Sequence, residues 1–469
     1  MRLDSKLLEK IIDEYNFTDC LNLSTLTFSS IDPEAFKNCC SKRIRSVNWQ
    51  SRELLNNDKK FTPRHLSLFE PLKDHLVELS LSDATFKCSF NFIGELKCLQ
   101  KLNISGCLFT CAPIFRGPNN QLTCLDINDC SMEIDDETIF DDLRCLKHLS
   151  LDQILICCDL SNLFKHLQQL ESLKLCLEFV KPLKMNENSL IDLPNLKELH
   201  LGRFQLRQTD KNYSTIFSHI NSLQRLSFDY SMPNIGTFDA SSNLTELRLS
   251  NVSDIIIGKR FFEKHPHLES LEISSFEKAD HDYSIEDDAF SNLKSLKTLI
   301  IHGTNLEFVN EKMINSLENV ECLKIFAENK LNKSEMELKA SSFKSLKKLK
   351  KLDIRHSDIK VDCRCFQHLT NLTELCLYKV IIYSNETFDI WTCLKNLESL
   401  NLGKRSQLNP SQLYRISELV NLKKLSFVII EEDVQQFEEM LIREGNQPHA
   451  NPTSDDLCWF IFENLTNLT

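Results

Sequence analysis

Apolar residues recur along this chain in a six-position rhythm, LxxLxL, with Ile, Val or Phe sometimes replacing Leu. Clear copies are LVELSL from Leu76, LQKLNI from Leu99, LTCLDI from Leu122, LKHLSL from Leu146, LESLKL from Leu170 and LKELHL from Leu196. The series continues through LQRLSF, LTELRL, LESLEI, LKTLII, VECLKI, LKKLDI, LTELCL and LESLNL to LKKLSF from Leu422. Two weaker copies, LSTLTF from Leu23 and IRSVNW from Ile44, bring the total to seventeen, mostly 21 to 29 residues apart. Alternation within each copy predicts a short strand with its aliphatic side chains inward and the residues between them outward. A second apolar group separates the copies, as in FKHLQQL (164–170), AFSNLKSL (289–296) and FQHLTNL (366–372). Its Phe and Leu positions have helix-like spacing and predict a helical or 3₁₀ return segment.

Strand, turn, return segment and turn make one coil. A lone coil buries too little apolar surface to offset the entropy of ordering it, so coils must stack. The repeated motif resembles the leucine-rich repeat, and the resemblance spans essentially the whole chain. It implies an α/β solenoid, a horseshoe with a concave parallel β-sheet and a helical or irregular convex side. Seventeen strands at ~4.8 Å spacing would run roughly 80 Å along the arc.

In that family the ninth position, three after the motif, is commonly Asn. Here it is Cys107 and Cys130 in two copies, Thr304 and Ser357 in two others, and Ala84, Val252, Phe276 or Arg405 elsewhere. The two cysteines resemble the cysteine-using intracellular subclass. Residues 285–378 resemble repeats of Toll-like receptors and other extracellular members. Eleven Asn-x-Ser/Thr sequons occur, Asn103, Asn243, Asn371 and Asn385 among them. Asn103 falls mid-strand on the predicted concave face, and N-L-T is expected to serve the repeat itself.

Residues 1–22 carry Leu3, Leu7, Leu8, Ile11, Ile12 and Tyr15 at helical spacing, with Asp4 as cap, and predict a helix sealing the first coil. A docking helix like that of ubiquitin-ligase substrate receptors is the alternative, although a full F-box has no room before Leu23. Residues 23–469 form the predicted solenoid, with 431–460 an irregular insertion or degraded repeat containing an acidic helix. The final FENLTNLT repeats the FQHLTNLT of 366–373, so Leu468 opens a coil left unfinished, and the sequence is expected to be incomplete.

Net charge is -12 and the pI near 5.6, against the basic stripe of a nucleic-acid binder. No apolar run is long enough to suggest a membrane span, and the charged N-terminus lacks the pattern of a signal peptide. Nineteen cysteines without regular spacing suggest reduced thiols. Cys39-Cys40, Cys157-Cys158 and Cys363-Arg-Cys365 could seed a metal site, but none has a second pair at matching spacing. Nine glycines, no two closer than ten residues, exclude phosphate-binding loops, and there is no GxSxG, HExxH or CxxC. His265 and His267 precede a strand and read as surface turn residues.

Chemistry is therefore expected to be recognition by outward strand residues: Glu198, His200, Arg225, Glu246, Arg248, Glu272, Lys324, Lys351, Asp353 and Glu374, with Ser227, Ser270, Cys322 and Cys376 between them. The long, shallow surface suits a protein or peptide partner. No cofactor, metal or nucleic acid is expected. The expected location is the cytoplasm, with an extracellular receptor fragment as the alternative.

Overall fold

The computed structural model describes residues 20–22, 44–50, 60–61 and, with interruptions, 69–427; the longest interruptions are 203–215, 231–240 and 404–414. Residues 1–19 and 431–460 lie outside it, so the sealing or docking helix and the insertion are not among the described residues. Two compact units are present, Met1–Asn243 and Leu244–Thr469.

Each unit is a parallel-stranded β-solenoid. Among the described residues, nine strands build the sheet of the first, from Cys20–Asn22 and Ser46–Gln50 to Glu198–Gly202 and Arg225–Asp229. Eight build that of the second, from Glu246–Ser250 to Lys424–Phe427. The register is that of the motif itself. Leu149 pairs with Leu125 and with Leu173, and Leu323 with Leu299 and with Leu352. Each strand starts at the third motif position, so the fourth and sixth side chains point into the coil. Leu149, Leu151, Leu173, Leu175, Leu199 and Leu201 are all at most 2% exposed, as alternation requires.

One copy is out of register with the expectation. The first strand is Cys20–Asn22, pairing Cys20 with Ser46 and Asn22 with Asn48. The first motif is therefore TDCLNL from Thr18, not LSTLTF from Leu23. Two alternating apolar patterns overlap in CLNLSTLTF, and alternation alone cannot choose between them. The last residues of the expected N-terminal helix are thus strand.

Return segments are short. The 3₁₀ turns Lys259–Phe262, Cys363–His368 and Trp391–Cys393 and the single helical turns Leu160–Leu163 and Glu311–Asn315 supply them. Phenylalanines of successive return segments meet from coil to coil, tilted with ring centroids 6.0 Å apart for Phe262 and Phe290 and edge-on at 6.1 Å for Phe343 and Phe366. After the turn, two- and three-residue strands form further parallel ladders, such as Glu337–Leu338, Lys360–Asp362 and Ile381–Tyr383.

Polar side chains knit successive coils. The asparagine just before the motif donates from Nδ2 to the carbonyl of the equivalent or adjacent residue one coil earlier: Asn195 to Gln168, Asn243 to Asn221, Asn319 to Lys294, Asn371 to Lys347, Asn396 to Thr370 and Asn421 to Lys395, at 2.7–2.9 Å. Thr373 Oγ1 donates to the Lys350 carbonyl at 3.1 Å. Both polar members of the N-L-T at Asn371 are thus engaged in stacking. At the ninth position Cys107 Sγ donates to the Leu81 carbonyl at 3.2 Å and Cys130 Sγ to that of Ile104 at 2.8 Å.

His265 corrects one expectation: it is fully buried, whereas its neighbour His267 is exposed. The sequence KHPHL gives no sign of which histidine turns inward.

Candidate functional site

All ten predicted residues lie on the outward side of the strands, three in the first unit and seven in the second. They alternate with buried leucines, as in Glu246, Leu247, Arg248 and Leu249. Because neighbouring strands are in register, the same motif position forms a row running across the sheet. Within these rows most of the charges meet each other. Arg225 reaches Glu198 at 3.3 Å, Arg248 reaches Glu272 at 2.9 Å and Lys351 reaches Glu374 at 2.7 Å. Asp353 is held by the guanidinium of Arg355, with Nε and Nη2 each 2.8 Å from a carboxylate oxygen. Lys324, half-buried between Ile300 and Asp353, makes no ion pair or hydrogen bond among the described residues.

A stronger regularity sits one residue earlier. At the second motif position the sign alternates in three runs of coils, Lys147 to Lys197, Glu269 to Lys350, and Glu398 to Lys423, separated by uncharged residues such as Gln224, Thr245 and Thr373. Glu171 is bonded by Lys147 at 3.3 Å and by Lys197 at 2.7 Å. In the second unit Glu269 pairs with Lys297, Glu321 with Lys350 and Glu398 with Lys423, at 2.7–2.9 Å. The Lys197 ammonium, with Lys147 assisting, holds the Glu171 carboxyl below its usual range. This row was legible in LKHLSL, LESLKL, LKELHL, but only by aligning the second letters rather than the third and fifth. Such exposed pairs contribute little to stability.

The seventh position also forms a row. It is small or polar at Ser82, Asn128, Asp152 and Asp229 in the first unit and at Ser250 and Ser274 in the second. It then becomes His302, Phe326, Arg355 and Tyr378 on four consecutive strands. His302 meets Phe326 edge-on with centroids 5.9 Å apart, and the Arg355 guanidinium lies 5.1 Å from the Phe326 ring centre. These residues were not among those singled out from sequence. The signal was present as a change of composition at one fixed motif position.

Nothing in this surface resembles a reaction centre. Burial pushes the Cys376 thiol up to about 11 and raises that of Cys322, so both stay neutral and unreactive near pH 7. A shallow pocket on the return side is lined by Lys259, Arg260, Glu263, Pro266 and Asn292. Among the described residues no cluster of His, Cys, Asp or Glu could hold a metal ion, and no helix is long and apolar enough to cross a membrane.

Comparison with known proteins agrees with this architecture. The profile of the BspA-type leucine rich repeat region matches residues 6–61, 163–282, 208–321, 285–410 and 319–442. No curated protein matches the chain in sequence. A leucine-rich repeat protein of Leptospira interrogans is similar in structure, with 19% identity, a TM-score of 0.58, and coverage of 87% of this chain and 99% of that one. The receptor in a TLR13–ssRNA13 complex is similar at 22% identity and a TM-score of 0.52, over 85% of this chain. This chain spans 65% of that receptor's length. At these identities the likeness is one of fold.

Proposed function

The chain belongs to the BspA-type leucine-rich repeat family, and from that premise we propose that it is a non-enzymatic recognition scaffold that binds a protein or peptide with the outward face of its strands. Its family and fold are typically non-enzymatic. The observation that carries the reading is the register: outward positions of successive strands form rows of mixed charge along the strand face of each unit. Such a surface accommodates a polypeptide better than a small molecule.

We place the protein in a reducing compartment, the cytoplasm. The support is that Cys107 and Cys130 act as S–H donors to buried carbonyls, which requires reduced thiols. The Nδ2 of Asn371, within a sequon, is already engaged by the preceding coil.

The test is affinity purification with the full chain and quantification of what it retains. Charge reversal of strand-face residues, Glu246→Lys together with Lys324→Glu, is expected to abolish retention of the partner. Lys294→Glu, on an exposed return segment, is expected to leave it intact. The opposite pattern would move the binding surface off the strands.

A further inference from the structure

The strand face is not chemically uniform, and the row at the seventh motif position shows where it departs from its own pattern. From Ser274 the row passes to His302, Phe326, Arg355 and Tyr378, then returns to a small residue at Gly403. Four strands at ~4.8 Å spacing place these groups along about 14 Å. The aromatic rings are half-buried, in a position where most other coils present a small or polar residue such as Ser82, Asn128, Asp152, Gly202 or Ser250. Asp353 pins the Arg355 guanidinium by two parallel hydrogen bonds while leaving its side chain 53% exposed. Gly403 matters to the far end of the strip. Its φ is +57°, and a Cβ there would come 2.2 Å from Cδ2 of Tyr378, so only glycine lets the ring lie where it does.

Charge distinguishes this strip from the rest of the surface. Lys324, Lys351 and Arg355 face Asp353 and Glu374, three cations against two carboxylates, in a chain of net charge -12. Lys351 is paired with Glu374 and Arg355 with Asp353, which leaves the Lys324 ammonium without an ion pair among the described residues. Ile300 lies beside Lys324 in its row, and Phe326 lies two residues on in the same strand. Aromatic residues and arginine held rigid at the centre of a surface are the groups that dominate binding energy in protein interfaces.

We propose that this strip is the anchor of the recognition surface and that its occupant is an acidic peptide segment. The segment presents an aromatic or aliphatic side chain to Phe326, His302 and Tyr378, and a neighbouring carboxylate to Lys324. The proposal rests on the strand-face reading above and specifies its ligand. Stacking rings would also suit unstacked bases, but platforms for single-stranded nucleic acid come with enough cations to follow a phosphate backbone. Here one ammonium is uncommitted, which matches one carboxylate.

The experiment is to pan a random peptide display library on the full chain. The enriched peptides are then synthesised and titrated against wild type, Lys324→Glu, Phe326→Ala and, away from the strip, Glu198→Lys with Arg225→Glu. A labelled oligouridylate is titrated in parallel. Circular dichroism melting controls for folding, and Lys324→Glu, a surface change, keeps the test valid if Phe326→Ala melts early. Enrichment of peptides with Asp or Glu next to Trp, Tyr, Phe or Leu is expected. Their affinity should fall on the order of tenfold or more in Lys324→Glu and in Phe326→Ala and stay unchanged in the Glu198/Arg225 double variant. Peptides lost only in the double variant would overturn this inference and keep the strand face. Binding insensitive to every one of these substitutions would overturn both. Oligouridylate binding that depends on Phe326 while acidic peptides fail would overturn the peptide assignment.

Discussion

Asp362 shows how much one side chain can organise in this fold. It is 5% exposed and starts the 3₁₀ turn Cys363–His368. Its carboxylate accepts from the Arg364 backbone N–H at 3.0 Å and from the same residue's guanidinium at 2.6 Å. The Arg364 guanidinium bonded to it holds the carboxyl below its ordinary value of 3.8. A depressed folded pKa means the stabilisation is fully present above that ordinary value and disappears as pH falls through the folded one. Asp362→Ala is therefore expected to cost about 1–2 kcal/mol in urea denaturation at pH 7. That gap should narrow progressively in acid below pH 3.8. An equal cost at both ends of the pH range would mean that the carboxylate charge is not what matters. Cys130 makes the parallel case for a neutral donor: Cys130→Ala leaves the buried Ile104 carbonyl without its partner and should cost ~1 kcal/mol in the same measurement. At the ninth position Cys107 and Cys130 thus supply through S–H the bond to a buried carbonyl for which the family commonly uses Asn.

Among the elements, the strands were readable from sequence because a period of two is a direct image of which side chains enter the coil. That alternation makes a sharp prediction. Leu247 is fully buried, and its neighbour Arg248 points outward to Glu272. Leu247→Asp places an unpaired charge in the core and should lower the melting temperature by many degrees. Arg248→Ala should stay within ~0.5 kcal/mol of wild type. Comparable losses would contradict the assigned faces. The turn after each strand was less readable. At the eighth motif position Asp83, Asp129, Gln153, Tyr230 and Asn251 adopt positive φ, and Gly106 shares it. Asp, Asn and Gly tolerate this conformation and could have marked the turn, but Gln153 and Tyr230 carry no such mark. Register was ambiguous only where two alternations overlap, at CLNLSTLTF. The candidate site was half legible. Outward positions can be read from alternation, whereas pairing between coils, which neutralises much of the charge, depends on strand register that a single motif does not contain.

For the molecule as a whole, the backbone ladders join each coil to the coils before and after it. A side-chain bond such as that from the Tyr383 hydroxyl to Glu337, which skips a coil, is an addition to that pattern. Damage should therefore spread by neighbours rather than switch off the chain at once. Alternating charges at the second position and asparagines before the motif both act between adjacent coils, and neither reaches further. Within the second unit Leu323 sits in a strand paired on both sides, with Thr298–Gly303 and Lys351–Arg355. Leu425 lies in the last described strand, whose partner among the described residues is Ser399–Gly403. Leu323→Asp should therefore accelerate amide hydrogen exchange across its own strand and both flanking ones, with protection recovering toward Glu246–Ser250. Leu425→Asp, starting from a less buried position, should among the described strands raise exchange chiefly in its own strand and in Ser399–Gly403. Local opening of this graded kind is what nearest-neighbour stacking predicts. Uniform loss of protection throughout the second unit in either variant would show instead that its described strands hold together as one indivisible cooperative block.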